Sequence, residues 1–220
     1  MKVGTDGVLL GACMTLNSSD RTLLDIGTGT GVVSLLCAQR LSELGADFGI
    51  EAIDIDLDSA GEAALNFSES EWSGRLRAEH SPLQAYRTDA TYDCIFSNPP
   101  YYDMSLKNPD PRDCTARHTE SLSYREICSF AQKRLATDGR LSLILPSDCE
   151  KELLRTAASY SLHPFRIVRI RTATGKPVRR IIAEFIPSMS HPELSEEEIN
   201  LQEPNPSDRF YPEKIKTHQI

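Results

Sequence analysis

Leu23-Leu24-Asp25-Ile26-Gly27-Thr28-Gly29-Thr30-Gly31 sets three glycines at alternate positions between an apolar run and an amphipathic one. That order reads as strand, tight turn, helix, because glycine lets the backbone bend sharply and come close to a ligand. The spacing is Gly-x-Gly-x-Gly. It differs from the Gly-x-Gly-x-x-Gly of dinucleotide binders and lacks the Gly-Lys-Ser/Thr of phosphate-binding loops. Asp25, two residues before the first glycine, favours the cationic end of a ligand over a phosphate. A bare structural turn is the alternative reading of the glycines.

Outward from this loop the chain alternates short apolar runs with amphipathic stretches, the signature of β-α-β units on a parallel sheet. Strands are predicted at Thr22 to Ile26, Phe48 to Ile53, Arg75 to Ala78, Tyr92 to Ser97 and Arg140 to Leu145. Helices are predicted at Val32 to Leu44, Asp58 to Ser70, Leu122 to Leu135 and Glu150 to Tyr160. The rhythm then changes. Phe165 to Arg171 and Arg180 to Ile186 read as two strands joined by a hairpin loop at residues 172–177, so the parallel sheet ends in an antiparallel pair. A domain over residues 1–187 is expected, followed by an acidic, Pro-rich tail over 188–220 with little core of its own.

At the end of the second predicted strand, Asp54 is spaced to accept both ribose hydroxyls of a nucleoside cofactor. Asp56 competes for that role, since strand ends read from sequence drift by a few residues. A ligand with a ribose, an ammonium and a sulfonium but no phosphate suits such a loop, and S-adenosylmethionine is that ligand.

The second motif is Asn98-Pro99-Pro100-Tyr101, which follows the predicted strand Tyr92 to Ser97. An exocyclic amine or an amide nitrogen is a poor nucleophile, because its lone pair is delocalised. An Asn side-chain oxygen beside a Pro carbonyl accepts both N–H hydrogens and draws the lone pair back onto nitrogen, and proline brings no competing donor. Tyr101 is suited to stack on a flat ring. A surface turn is the competing reading for Asn and Pro, and the position after a core strand weighs against it. The polar stretch from Tyr102 to Ser121 reads as a lid over the second substrate. In it, Arg117 is suited to a phosphate and His118 to stacking or donating a hydrogen bond.

The 220 residues carry a net charge of −8, which argues mildly against nucleic acid. The distribution is uneven, however. Arg166, Arg169, Arg171, Lys176, Arg179 and Arg180 run with no acid among them, whereas Glu193 to Glu203 is strongly acidic. A solvated charged face and an RNA-contacting segment stay open as readings of the basic run. The six cysteines have no Cys-x-x-Cys spacing and read as reduced thiols, with no zinc site expected. No run of about 18 apolar residues occurs and no basic-then-apolar start is present, so a soluble cytoplasmic protein is expected.

Asp-x-Gly-x-Gly-x-Gly with Asn-Pro-Pro-Tyr resembles the class I S-adenosylmethionine-dependent N-methyltransferases. Within that class, residues 2–12 (Lys-Val-Gly-Thr-Asp-Gly-Val-Leu-Leu-Gly-Ala), Ser97 to Tyr101, Ser105-Leu106-Lys107 and Ala116-Arg117-His118-Thr119 resemble the bacterial tRNA1(Val) (adenine(37)-N6)-methyltransferase family. The likeness runs from residue 2 to about Phe185. It implies an α/β, Rossmann-like, doubly wound sheet of seven strands, mostly parallel with the last antiparallel, and methyl transfer from S-adenosylmethionine to an adenosine of a valine tRNA. It further implies that Thr5 and Gly7 border the methionyl part of the cofactor, that Asp25, Gly27, Gly29, Thr30 and Gly31 form its loop, and that Asp54 takes the ribose with Ile55 and Ser81 nearby. Asn98, Pro99, Pro100 and Tyr101 would hold the adenine, and Arg117, His118, Lys176, Arg179 and Arg180 would meet the RNA. A monomer is expected.

Two features depart from the pattern. Relatives usually carry a further segment ahead of the Lys-Val-Gly-Thr-Asp-Gly motif, and Glu79-His80-Ser81-Pro82 lacks the Asp that many use near the cofactor adenine. A methyltransferase of protein glutamine, another RNA or DNA amino-methyltransferase, and a non-catalytic RNA-binding relative remain as alternatives.

Overall fold

The computed structural model describes residues 4–100, 122–187 and 193–202. In chain order the elements are α1 (Thr5–Cys13), β1 (Thr22–Ile26), α2 (Val32–Glu43), β2 (Gly49–Asp54), α3 (Leu57–Glu69), β3 (Leu76–His80) and β4 (Tyr92–Ser97). After them come α4 (Tyr124–Arg134), β5 (Leu135–Pro146), a 3-10 turn (Ser147–Cys149), α5 (Glu150–Ser159), β6 (His163–Arg171), β7 (Val178–Ile186) and β8 (Ser195–Asn200).

Among the described residues one sheet of order β3-β2-β1-β4-β5-β7-β6-β8 carries all eight strands. β1 pairs in parallel with β2 and β4, and β7 runs antiparallel to both β5 and β6. Helices cover both faces, which is why the central strands read as nearly continuous apolar runs. Leu23, Cys94, Phe96, Ile144 and Ile182 pack under α1, α2 and α3, while Leu24, Ile26, Ile95, Leu143 and Phe185 pack under α4 and α5. Local sequence fixes several helix starts. Asp56 caps α3 by accepting from the Ser59 N–H, and Ser123 with Glu126 closes a reciprocal capping box at α4.

The parallel sheet with an antiparallel end agrees with the sequence reading, and the described residues form eight strands rather than seven. The extra strand comes from the region read as a tail. Ser195–Asn200 lies parallel along β6, where its glutamates meet the arginines of that strand: Glu197 with Arg166, Glu196 with Arg169 and Glu198 with Arg171. Composition hides this strand because its partner charges lie about thirty residues away in sequence. α1 is the other element without a predicted counterpart. Its carbonyls are held from elsewhere in the fold: Arg40 donates to the oxygens of Gly11 and Met14, and Arg166 to that of Cys13.

Among the described residues no helix is long and apolar enough to cross a membrane. The described cysteines are all free thiols, four of them buried; Cys114 lies outside the described residues.

Candidate active site

A cleft of about 350 Å3 opens at the C-terminal ends of β1, β2 and β4. This is the switch point of the sheet, where the chain leaves β1 toward β2 and β3 on one side and toward β4 on the other. Its wall includes Gly27, Thr28, Gly29, Thr30, Asp54, Ile55, Ser81, Asn98 and Pro100, together with Gly4 and Gly7 of the first-helix region. The glycine loop and the Asn-Pro-Pro motif, some seventy residues apart in sequence, therefore share one hollow.

The loop is held by backbone and side-chain bonds. Gly27 and Thr28 donate their N–H groups to the Ile53 carbonyl at 2.8 and 3.1 Å, and the Asp54 carboxylate accepts from Gly29 N at 2.8 Å and from Asp56 N at 2.9 Å. Gly27, Gly29 and Gly31 all have positive φ, which accounts for glycine at each. Ser97, the residue before Asn98, donates its hydroxyl to the Ile26 carbonyl at 2.6 Å and so locks the end of β4 to the end of β1. Asn98 then lies beside Gly7: a Cβ added there would come within 3.9 Å of the Asn98 amide nitrogen and 3.3 Å of Val32.

Three of the residues expected around the cofactor stand outside the cleft wall. Asp25 is 1% exposed and buried behind the loop, accepting hydroxyl hydrogen bonds from Thr28 at 2.8 Å and Ser34 at 2.7 Å. Burial lifts its carboxyl from the ordinary 3.8 to about 6, against the pull of those two hydroxyls and with a further push from the Asp54 charge. Asp25 thus braces the loop from behind instead of facing a ligand. Gly31 serves packing, since a Cβ there would sit 2.5 Å from the Phe67 ring. Thr5 opens α1 on the exposed side, and Gly7, two residues on, makes the contact with the cleft.

Asp54 and Asp56, the two rivals for the ribose, both line the cleft. Asp56 is already engaged as the cap of α3, accepting from both the N–H and the hydroxyl of Ser59. Ser81 lines the cleft as expected, with its N–H bonded to the Asp54 carbonyl at 2.9 Å. Sequence reasoning missed Leu83 and Gln84, which also form the wall, and Leu122, whose side chain approaches Gly27. Their position just past β3 and just before α4 was the available signal. Pro99 is buried beside the wall. Tyr101, Arg117, His118 and the expected lid lie outside the described residues.

The basic run is divided by the fold. Arg166, Arg169 and Arg171 are engaged by carboxylates of β8, with Glu184 and Glu150 as further partners. Lys176 and Arg179 are exposed on and beside the β6–β7 hairpin, at the same end of the sheet as the cleft. Arg180 donates through Nε to Asp6 at 2.7 Å.

Among the described wall residues two are acids and none is Lys, Arg or His, so the cleft suits a cationic or neutral polar ligand in preference to a phosphate. A doubly wound sheet with a glycine turn on β1, a carboxylate ending β2 and Asn-Pro-Pro ending β4 defines a class I, Rossmann-like methyltransferase. Residues 3–158 match the family model described as methyltransferase small domain. A Bacteroides fragilis protein named tRNA1(Val) (adenine(37)-N6)-methyltransferase is 40% identical over 188 residues, 84% of this chain and 77% of that one. An Aeromonas hydrophila protein of the same name is 35% identical over 210 residues, 96% of this chain and 87% of that one. The chain belongs to the tRNA1(Val) (adenine(37)-N6)-methyltransferase family. In fold it is also similar to a predicted O-methyltransferase from Agrobacterium tumefaciens, at TM-score 0.67 and 17% identity, over 94% of this chain and 92% of that one.

Proposed function

We propose that this protein methylates N6 of an adenosine in tRNA, at position 37 of tRNA1(Val), with S-adenosylmethionine as donor. The observation that carries the reading is the shared hollow: Asn98 at the end of β4 and Asp54 at the end of β2 line one cleft, with the glycine turn between them.

The residues present fit the cofactor. Gly27 and Gly29 leave room for close approach, Asp54 has lone pairs left for ribose hydroxyls beyond the two amides it accepts, and no cation in the described wall competes with a sulfonium or an ammonium. Ile55, half exposed at the rim, and Ser81 border the adenine end, and Gly7 borders the methionyl end. When bound, S-adenosylmethionine supplies an electrophilic methyl carbon on its sulfonium.

Everything else falls to the chain. Asn98 accepts one N–H of the target amine through its side-chain oxygen, and the Pro99 carbonyl accepts the other. Both acceptors gain strength as the nitrogen becomes cationic, so they stabilise the transition state more than the ground state. No strong base is required, because the proton leaves to water once nitrogen carries a full charge. Tyr101 stacks on the base, contributing roughly 1 to 3 kcal/mol without reading its identity. Lys176 and Arg179, with Arg117 and His118, meet the RNA backbone. Thr28, Ser34 and Asp25 keep the loop in shape from behind.

Incubation of the purified protein with methyl-labelled S-adenosylmethionine and unmodified tRNA1(Val), followed by digestion to nucleosides, tests the reading. Label in N6-methyladenosine is the expected result. Label only in a glutamine-bearing protein substrate, or in another nucleoside, overturns it.

A further inference from the structure

α1 forms part of the cleft wall, and the fold fastens this segment at both ends. α1 contributes Gly7, which abuts Asn98 and the start of α2. The far end of this segment is tied down by backbone carbonyls: Gly11 and Met14 accept from Arg40, Cys13 from Arg166 at 2.8 Å, and Thr15 from Arg140 at 2.7 Å. The near end starts at Gly4, a residue with no side chain to cap the helix. There the tie is ionic. Asp6, in the first turn, accepts from Arg180 Nε at 2.7 Å, and the two side chains are 19% and 33% exposed.

Arg180 lies at the root of the hairpin whose neighbours Lys176 and Arg179 are exposed, and it pairs across the sheet with Pro146 at the end of β5. It therefore joins the outer, cation-bearing end of β7 to the helix that walls the cofactor side of the cleft. We infer that the Asp6–Arg180 pair is a latch that holds α1 against the cleft, making Arg180 a positioning residue for the cofactor and not a contact for RNA phosphate. The inference rests on the methyltransferase reading, and it goes beyond it by giving a role to two charges that stand outside the described cleft wall. Opening the latch frees the first turn of α1, withdraws Gly7 from Asn98 and loosens the wall around the donor. The hairpin surface that faces a polyanion is left as it was.

Calorimetric titration of the protein with S-adenosylmethionine in the absence of RNA, paired with anisotropy measurements of tRNA binding, tests this. Arg180→Ala is expected to weaken cofactor binding about tenfold, the worth of one charge-assisted hydrogen bond, and to raise the KM for cofactor while leaving the tRNA Kd unchanged. Arg180→Lys keeps the charge and restores part of the affinity. The reciprocal exchange, Asp6→Arg with Arg180→Asp, restores more than either single change, which loss of folding alone would not do. An Arg180→Ala protein that binds the cofactor normally overturns the latch, and one that binds the cofactor normally but tRNA weakly makes Arg180 a phosphate contact instead. Should Arg180→Ala fail to fold, Asp6→Asn gives the same test. Failure of the unaltered protein to bind S-adenosylmethionine overturns the underlying reading first, and that result is separate from any comparison among variants.

Discussion

The cleft and the buried arginine pairs treat their carboxylates differently. In the β3-β2-β1-β4 half, Asp25 and Asp54 accept hydrogen bonds from hydroxyls and backbone amides. The arginines Arg140 of β5 and Arg166 of β6 each meet a buried acid. Arg140 reaches Asp20, just ahead of β1, both almost wholly buried, and Arg166 reaches the fully buried Glu184, which also accepts from Thr15 and Ser142. Asp54 keeps its negative charge available at the cleft, and the buried pairs cancel charge to hold elements together. A site for a cationic donor needs the first arrangement, because a nearby guanidinium would occupy the carboxylate and repel the ligand.

The contrast is most sharply tested where charge is buried. Arg140→Ala leaves Asp20 without its partner in the interior, and unfolding in urea should show a loss of about 3 to 5 kcal/mol. Replacing both residues by apolar ones of similar size should cost much less. Equal losses for single and double variants would mean that the pair is not the unit. Next in size is Asn98→Ala, for which turnover should fall about 100- to 1000-fold while calorimetry finds cofactor affinity preserved. Near-normal turnover removes Asn98 from the chemistry.

A smaller effect is expected from Asp25, whose carboxyl rises from 3.8 to about 6 in the fold. Between those values the folded chain binds more protons at this site than the unfolded chain, so this residue's contribution to stability declines as pH climbs through the interval and stays low above it. Measured against Asp25→Asn from pH 4 to 7, the stability of the unaltered protein should fall in relative terms; a flat difference sinks this account. The smallest effect belongs to the outer ladder. Arg171→Ala breaks the solvent-exposed bonds to Glu198 and should leave the thermal midpoint unchanged within error, since exposed pairs contribute little. A clear drop would show that β8 depends on each rung.

The cofactor turn and the Asn-Pro-Pro motif were legible in the sequence because glycine and proline carry their backbone constraints with them. That Asp25, read like Asp54 as a cofactor residue, stands behind the loop was not legible. Both are aspartates near strand ends, and the difference comes from Thr28 and Ser34 closing over one of them. α1 escaped notice because its glycines argue locally against a helix, while the arginines that hold it come from α2, β5 and β6. β8 escaped for a related reason. Ser-Glu-Glu-Glu has no apolar alternation, and it becomes a strand by pairing with β6, whose arginines meet its glutamates.

The placement of β8 also bears on how copies of this chain treat one another. A bare β6 would offer a row of unpaired amides and carbonyls to any passing strand, the usual start of edge-to-edge aggregation. β8 takes that place and turns a glutamate-rich rim outward, while the opposite rim, β3, is five residues long with Arg77 and Glu79 exposed. Both borders of the sheet are thus guarded by charge or brevity, which disfavours edge-to-edge pairing between copies.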